Sequence, residues 1–218
     1  MTVEPFAPPP STALRADLQR MIHLAKQSLA DAVTALQTGD AALAQCVIVR
    51  DALVNAQSGA IEVEALCLVG CARPAGSELR FVATAFQIAT DIERIGDHAV
   101  SVARTAIRLD DAPASTPFPP ELSRMARIAL RLLCDLADAY GGDGEPAAQR
   151  VGSGEEEMDV AYQEAQSELR CRMRCYPNES VAAMHLLFVA HYLERIGDHC
   201  AHAAARLDYV RTGRVLHS

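Results

Sequence analysis

Six residues occur twice in the chain in the same order: Glu93-Arg94-Ile95-Gly96-Asp97-His98 and Glu194-Arg195-Ile196-Gly197-Asp198-His199. The copies stand close to half a chain length apart in a sequence of 218 residues. A chain that repeats itself on this scale is built from two copies of one unit, and any chemistry in one copy is duplicated in the other. Each copy also carries a Glu and an Asp at i and i+4, a spacing that puts both carboxylates on one face of a helix.

The rest of the chain reads as helix. Half of it is hydrophobic, aromatics make up 5%, and Trp is absent. An Ala- and Leu-rich composition of this kind favours helix over strand. Apolar residues recur at spacings of three and four. Leu14, Leu18, Met21, Ile22, Ala25, Leu29, Val33 and Leu36 form one stripe, which predicts a first helix from Ser11, as N-cap, to Gly39, as stop. A second helix follows over about 40–72, ended by Arg73-Pro74-Ala75-Gly76. Ser77 is expected to cap a third, with Glu78 in its first turn and Phe81, Ala85, Ile88, Ile92, Ile95, Ala99 and Val102 facing inward to a stop near Leu109.

Pro113, Pro117, Pro119 and Pro120 then mark a linker. A fourth helix is predicted over 121–140, with Leu122, Met125, Ala129, Leu132 and Leu136 on one stripe, stopped by Gly141-Gly142-Asp143-Gly144. A fifth runs from Pro146, a favourable first-turn position, to Cys175, weakened early by Gly152 and Gly154. Pro177 breaks the chain, and Asn178 is expected to cap a sixth helix reaching Thr212. The predicted fold is all-α: two tandem three-helix bundles related by the internal repeat. Residues 1–10 are expected to be a disordered Pro-rich tail, 11–110 the first bundle, 111–120 the linker, 121–212 the second bundle and 213–218 a tail.

Several function classes fall away. The formal net charge is −8 and no basic cluster stands out, which argues against a nucleic-acid partner. No apolar run reaches the ~18 residues of a spanning helix. The first ten residues lack the charged start and apolar stretch of a signal peptide, so the protein is expected in the cytoplasm. Seven cysteines, an odd number spread over apolar segments, argue against a disulfide framework. The i,i+4 pairs Cys67/Cys71 and Cys171/Cys175 leave a soft-metal or redox role open; the preferred reading is that the cysteines are small buried hydrophobes. There is no phosphate-cradling Gly loop, no Ser–His–Asp set and no nucleophilic Cys beside a base, so no enzyme is expected.

The proline turns act as mirrors for the acidic residues. Asp159 precedes Pro177 by almost the distance at which Glu194 follows it, and Glu155 and Asp198 are paired in the same way. In an antiparallel hairpin, equal distance from the turn means equal height. Glu155 and Asp159 should therefore face Glu194 and Asp198. By the same argument about Pro74, Asp51 and Asn55 should face Glu93 and Asp97, with one carboxylate replaced by an amide. Like charges at i,i+4 cost a few tenths of a kcal/mol, and a cation relieves that cost. Oxygen ligands without Cys or His suit hard cations such as Mg, Ca, Mn or Fe. The plainer alternative is a solvated acidic face paired with Arg94 and Arg195.

Gly96 and Gly197 cost about 1 kcal/mol each in mid-helix, and their missing side chains leave room for a neighbouring helix or ligand. His98 and His199 follow the aspartates directly, point about 100° away from them, and read as packing or surface residues. His23, His185, His191 and His202 show no ligand spacing.

The two Glu-Arg-Ile-Gly-Asp-His strings resemble the signature of the PhoU family, the phosphate-transport accessory regulators. The segments Leu79-Arg80-Phe81 and Phe188-Val189-Ala190, and the pattern Ala35-Leu36, Asp40, Ala44 and Val47, fit the same family, so the resemblance covers nearly the whole chain. It implies two three-helix bundles whose acidic motifs hold divalent or trivalent metal ions (Fe, Mn, Mg, Ca or Zn). By carry-over, Glu93 and Asp97 with Asp51 make one metal patch, and Glu194 and Asp198 with Glu155 and Asp159 the other. Asn55 stands where the family usually has a second acid, which implies a weaker first site. The resemblance further implies a cytoplasmic homodimer that reaches the membrane only through partners. Those partners are the ATPase subunit of the phosphate ABC transporter and the phosphate-regulon sensor histidine kinase, and the implied role is a negative regulator. An accessory or scaffold protein for another phosphate permease is the alternative. A ferritin-like di-metal oxidase needs Glu-x-x-His on two helices, and Gly96 and Gly197 break that spacing in both copies.

Overall fold

The computed structural model describes residues 11–110, 118–141 and 147–214. Among these residues there is no strand. The helices are α1 (Thr12–Thr38), α2 (Ala41–Cys71), α3 (Gly76–Asp110), α4 (Pro120–Gly141), α5 (Ala147–Cys175) and α6 (Ser180–Thr212), with a short 3-10 turn at Pro177–Glu179 before α6. The N-terminal tail, most of the linker, the stop at Gly142-Asp143-Gly144, Pro146 and residues 215–218 lie outside the described residues.

The apolar stripes build the two bundles. On α1, Leu14, Leu18, Met21, Ile22, Ala25 and Leu29 are fully buried, and on α3 so are Phe81, Ala85, Ile88, Ile92, Ile95, Ala99 and Val102. Leu122, Met125, Ala129, Leu132 and Leu136 do the same on α4. Helices α1, α2 and α3 pack on one another, as do α4, α5 and α6. The halves join through α3 against α6, a contact as extensive as that within either bundle, and through α1 against α4. The core therefore runs continuously through both repeats.

Local chemistry sets the helix ends. Gly39 ends α1 in the left-handed region at φ 69°, where only a residue without Cβ is unstrained. Asp40 caps α2 by accepting the Leu43 N–H at 2.9 Å. The α2–α3 turn needs two more positive φ values, at Arg73 (47°) and Gly76 (59°). Gly154 has a packing reason: a Cβ there would lie 2.6 Å from Leu132 Cδ2, so the missing side chain lets α5 close on α4.

Three caps depart from expectation. Ser11 stands at the N-cap of α1, but its hydroxyl makes no cap bond; instead its N–H donates to Glu78 Oε1 at 3.0 Å. Ser77 is not a cap, because α3 already begins at Gly76. Asn178 lies inside the 3-10 turn and α6 begins at Ser180, a tight first turn of the kind common at helix starts.

The cysteines depart further. Cys46, Cys67, Cys71, Cys171 and Cys175 are exposed, and of the seven only Cys200 is buried. The reading of these thiols as buried hydrophobes holds for that one residue. The reason lies in α2, which is apolar on its outer face as well. Val49, Leu53, Val63 and Leu66 are 66%, 58%, 63% and 67% exposed, in line with exposed Ala56, Ala60 and Cys67. Although no unbroken apolar run is long enough, α2 as a whole is long and apolar enough to cross a membrane by length and composition. In the fold it packs against α1 and α3.

Phe81, near the start of α3, is fully buried, with the Arg15 guanidinium 3.8 Å above its ring. Phe81→Ala is expected to destabilise the chain by about 3–5 kcal/mol, read as a lower urea midpoint at unchanged m-value.

Candidate metal centre

Burying Ile92 and Ile95 on one side of α3 turns Glu93 and Asp97 toward α2, where Asp51 approaches them. The Asp51 carboxyl is raised above its ordinary range by burial first and by the Asp97 charge next. Glu93 adds to the rise, while a hydrogen bond from Asn55 Nδ2 at 3.1 Å and the Arg104 charge oppose it. Asp51 Oδ1 is buried without any hydrogen-bond partner. Asn55 thus acts here as a donor to Asp51, offsetting part of the charge that a fourth carboxylate would add.

The second repeat builds the same arrangement between α5 and α6 with four carboxylates. Glu155 is raised by burial and then by the charges of Asp198 and Asp159. Glu194 is raised by burial and then by Asp198; His191 and Arg195 oppose this, and Asp159 adds to it. Glu194 Oε2 is buried with no hydrogen bond, although His191 Nδ1 stands 3.5 Å away. Asp159 is exposed at the rim of the patch. In both halves, then, the hairpin geometry brings the acids together across the helix pair.

The plainer alternative is also partly present. Arg94 Nη1 lies 3.2 Å from Asp97 Oδ2, and Arg195 pairs with Asp198. Each arginine is three residues from its aspartate on the same helix and meets one oxygen only, so Asp51 Oδ1 and Glu194 Oε2 stay without a hydrogen bond among the described residues. The glycines sit where the helices approach. A Cβ on Gly96 would lie 3.4 Å from both Asp51 Oδ1 and Val54 Cγ1, and one on Gly197 would lie 3.5 Å from Met158 Cγ. A methyl group would be in ordinary contact there, and a larger side chain would push the facing helix away.

The histidines of the repeat face the other bundle. His98 and His199 stack at 5.7 Å between ring centroids, with Tyr192 against the other side of His98 at 5.9 Å. Burial lowers the His98 imidazole to about 4, helped by the charges of His199 and Arg195, and burial also lowers His199. The packing role expected of these two residues is what the geometry displays for His98, between Tyr192 and His199, while His199 also meets a carboxylate.

A cluster the sequence reading missed lies beside them. Asp91, buried on α3, faces His199 Nδ1 at 3.2 Å and His202 Nδ1 at 4.0 Å from its Oδ1, while Arg206 pairs with its Oδ2. The i,i+3 spacing of His199 and His202 on α6 was the available signal. Asp91 comes from the other repeat, outside the six-residue string, and only the α3–α6 packing brings it there.

Comparison with known proteins places this geometry. The family model of the PhoU domain matches residues 18–106 and again 122–207. The chain is 33% identical over 205 residues to a "Phosphate-specific transport system accessory protein PhoU homolog" of Caulobacter vibrioides, covering 94% of this chain and 89% of that one. A homolog of the same description from Rhizobium meliloti is 34% identical over 200 residues, 90% of this chain and 83% of its own. Among solved structures, PhoU from Pseudomonas aeruginosa superimposes with a TM-score of 0.89 at 29% identity, covering 94% of this chain and 98% of that one. The phosphate transport system regulatory protein PhoU from Streptococcus pneumoniae does so with a TM-score of 0.85 at 26% identity, covering 94% and 97%.

The raised carboxyls have a testable consequence. A carboxyl whose pKa is higher folded than unfolded makes the folded state the better proton binder between those two values. Stability contributed by Asp51, Glu155 and Glu194 therefore falls as pH rises through the carboxylate range. With chelator present, Glu194→Gln is expected to match or exceed the parent at neutral pH by ~0.2–0.5 kcal/mol, the scale of a like-charge pair. The gap should close as pH drops, checked by thermal melts across pH.

Proposed function

The chain belongs to the PhoU family, and from that premise we propose that it is a non-enzymatic negative regulator of the phosphate regulon. In this reading it couples the ATPase subunit of a phosphate ABC transporter to a sensor histidine kinase through protein contacts. It acts in the cytoplasm as a homodimer and meets the membrane through those partners. Its relatives carry names that tie them to phosphate-specific transport, which supports the substrate system assigned here.

The observation that carries the reading is the duplicated acid patch. Two sets of converging carboxylates, one in each repeat, contain a buried oxygen without a hydrogen bond among the described residues, Asp51 Oδ1 in the first and Glu194 Oε2 in the second. Uncompensated buried acceptors of this kind cost stability, and a hard divalent or trivalent cation satisfies them. Glu194, Asp198, Glu155 and Asp159 are assigned as ligands of the second site. Glu93, Asp97 and Asp51 are assigned to the first, with the Asn55 carbonyl available once its amide turns round. Metal ions would stiffen each hairpin and present a charged, rigid face to a partner. The exposed apolar stripe on α2 supports a protein that works by contact, since surface patches of this kind mark interaction sites.

The test is a phosphate-starvation reporter such as alkaline phosphatase in a strain lacking the gene, grown in high phosphate. High activity, reversed by the wild-type gene, is the expected result. Activity that stays repressed would favour the accessory role at another permease.

A further inference from the structure

The geometry points to a further transition-metal site, made by Asp91, His199 and His202, that bridges the two repeats beside the second acid patch. His202 also acts on Glu155 of that patch. The ligand atoms of the three residues all lie within 4.8 Å of one another. His199 Nδ1 and Asp91 Oδ1 are 3.2 Å apart. The two are hydrogen-bonded at that distance, and two ligands held at about 2.0–2.1 Å by one tetrahedral ion stand about 3.3 Å apart, so an ion replacing the shared proton needs little movement of this pair. His202 Nδ1 is 4.0 Å from the same oxygen, and its side chain is 59% exposed, so it is free to swing inward.

The surroundings suit a ligand set. Arg206 holds the other oxygen of Asp91 and fixes the carboxylate with Oδ1 toward the imidazoles, the outer-shell role that ligating carboxylates require. His98 stacks on His199 and fixes its ring plane. Two imidazoles and one carboxylate form a borderline donor set, which selects Zn, Co, Ni or Fe(II) over the Mg and Ca that all-oxygen patches prefer. With three protein ligands, the fourth position stays open to water. Asp91 comes from the first repeat and both histidines from the second. An ion here therefore ties α3 to α6 across the joint between bundles, which neither acidic patch does.

The experiment is a competitive titration of metal-free full-length protein with Zn2+ against a chromophoric chelator, after alkylation of the exposed thiols. Wild type is compared with His202→Ala and Asp91→Asn, and folding is checked by circular dichroism. Loss of an outer-shell partner alone costs ~10–100-fold in affinity, so His202→Ala should bind one equivalent of Zn2+ at least about tenfold more weakly. Zn2+ should also raise the Tm of the wild type more than that of the variant. Co2+ should give the visible d–d bands of a tetrahedral site in the wild type, and these should fade in both variants. Zn2+ affinity and Co2+ spectra unchanged in folded His202→Ala would overturn the assignment.

Discussion

The close approach of α3 to α2 at Gly96, and of α6 toward α5 at Gly197, determines where the acidic groups sit. At Gly96 the facing helix carries Asp51 and Val54 so near that a single methyl group would touch both. That distance brings the Glu-xxx-Asp pair of one helix up to the acids of its neighbour. The apolar stripes on α3 and α6 hold the approach in place by burying Ile92, Ile95, Leu193 and Ile196 on the other side of the same turns. A mid-helix glycine costs about 1 kcal/mol in propensity. Here that cost accompanies a second unfavourable arrangement, the crowding of like charges.

Two unfavourable choices at one place, repeated in both halves, are the pattern expected where stability is set aside for function, and they support the proposed cation sites. The chain itself answers the charge only in part. Arg94 and Arg195 each meet one aspartate oxygen from the outside, and Asn55 answers one oxygen of Asp51. The second patch has no such amide and gathers four acids. The two halves therefore differ in charge although their fold is the same, and the second is the stronger candidate for a cation.

Much of this was legible in the sequence because it is local or repetitive. The stripe on α1 predicted the buried face from Leu14 to Val33, since helical period decides it, while Leu36 at the helix end is half-buried and the small residues Ser28, Ala32 and Ala35 share the buried face. The mirror argument about Pro74 and Pro177 anticipated that Asp51 lies near Glu93 and Asp97, and Glu155 and Asp159 near Asp198 and Glu194, because short turns make hairpins antiparallel. What escaped depends on tertiary packing. Whether Cys67 lies inside or outside is decided by which face of an apolar α2 finds a neighbour. Asp91 meets His199 and His202 only because α3 and α6 pack across the repeat. The caps at Ser77 and Asn178 failed for a smaller reason: a positive-φ glycine and a proline moved the helix starts by one or two residues.

The most direct test of the metal-scaffold account is elemental analysis of protein purified without chelator, for the wild type and for Glu194→Ala with Asp198→Ala. The account predicts that the double variant loses most of its metal, and more than Glu93→Ala with Asp97→Ala loses from the less charged patch. A double variant that folds and keeps the full metal content of the wild type would contradict it.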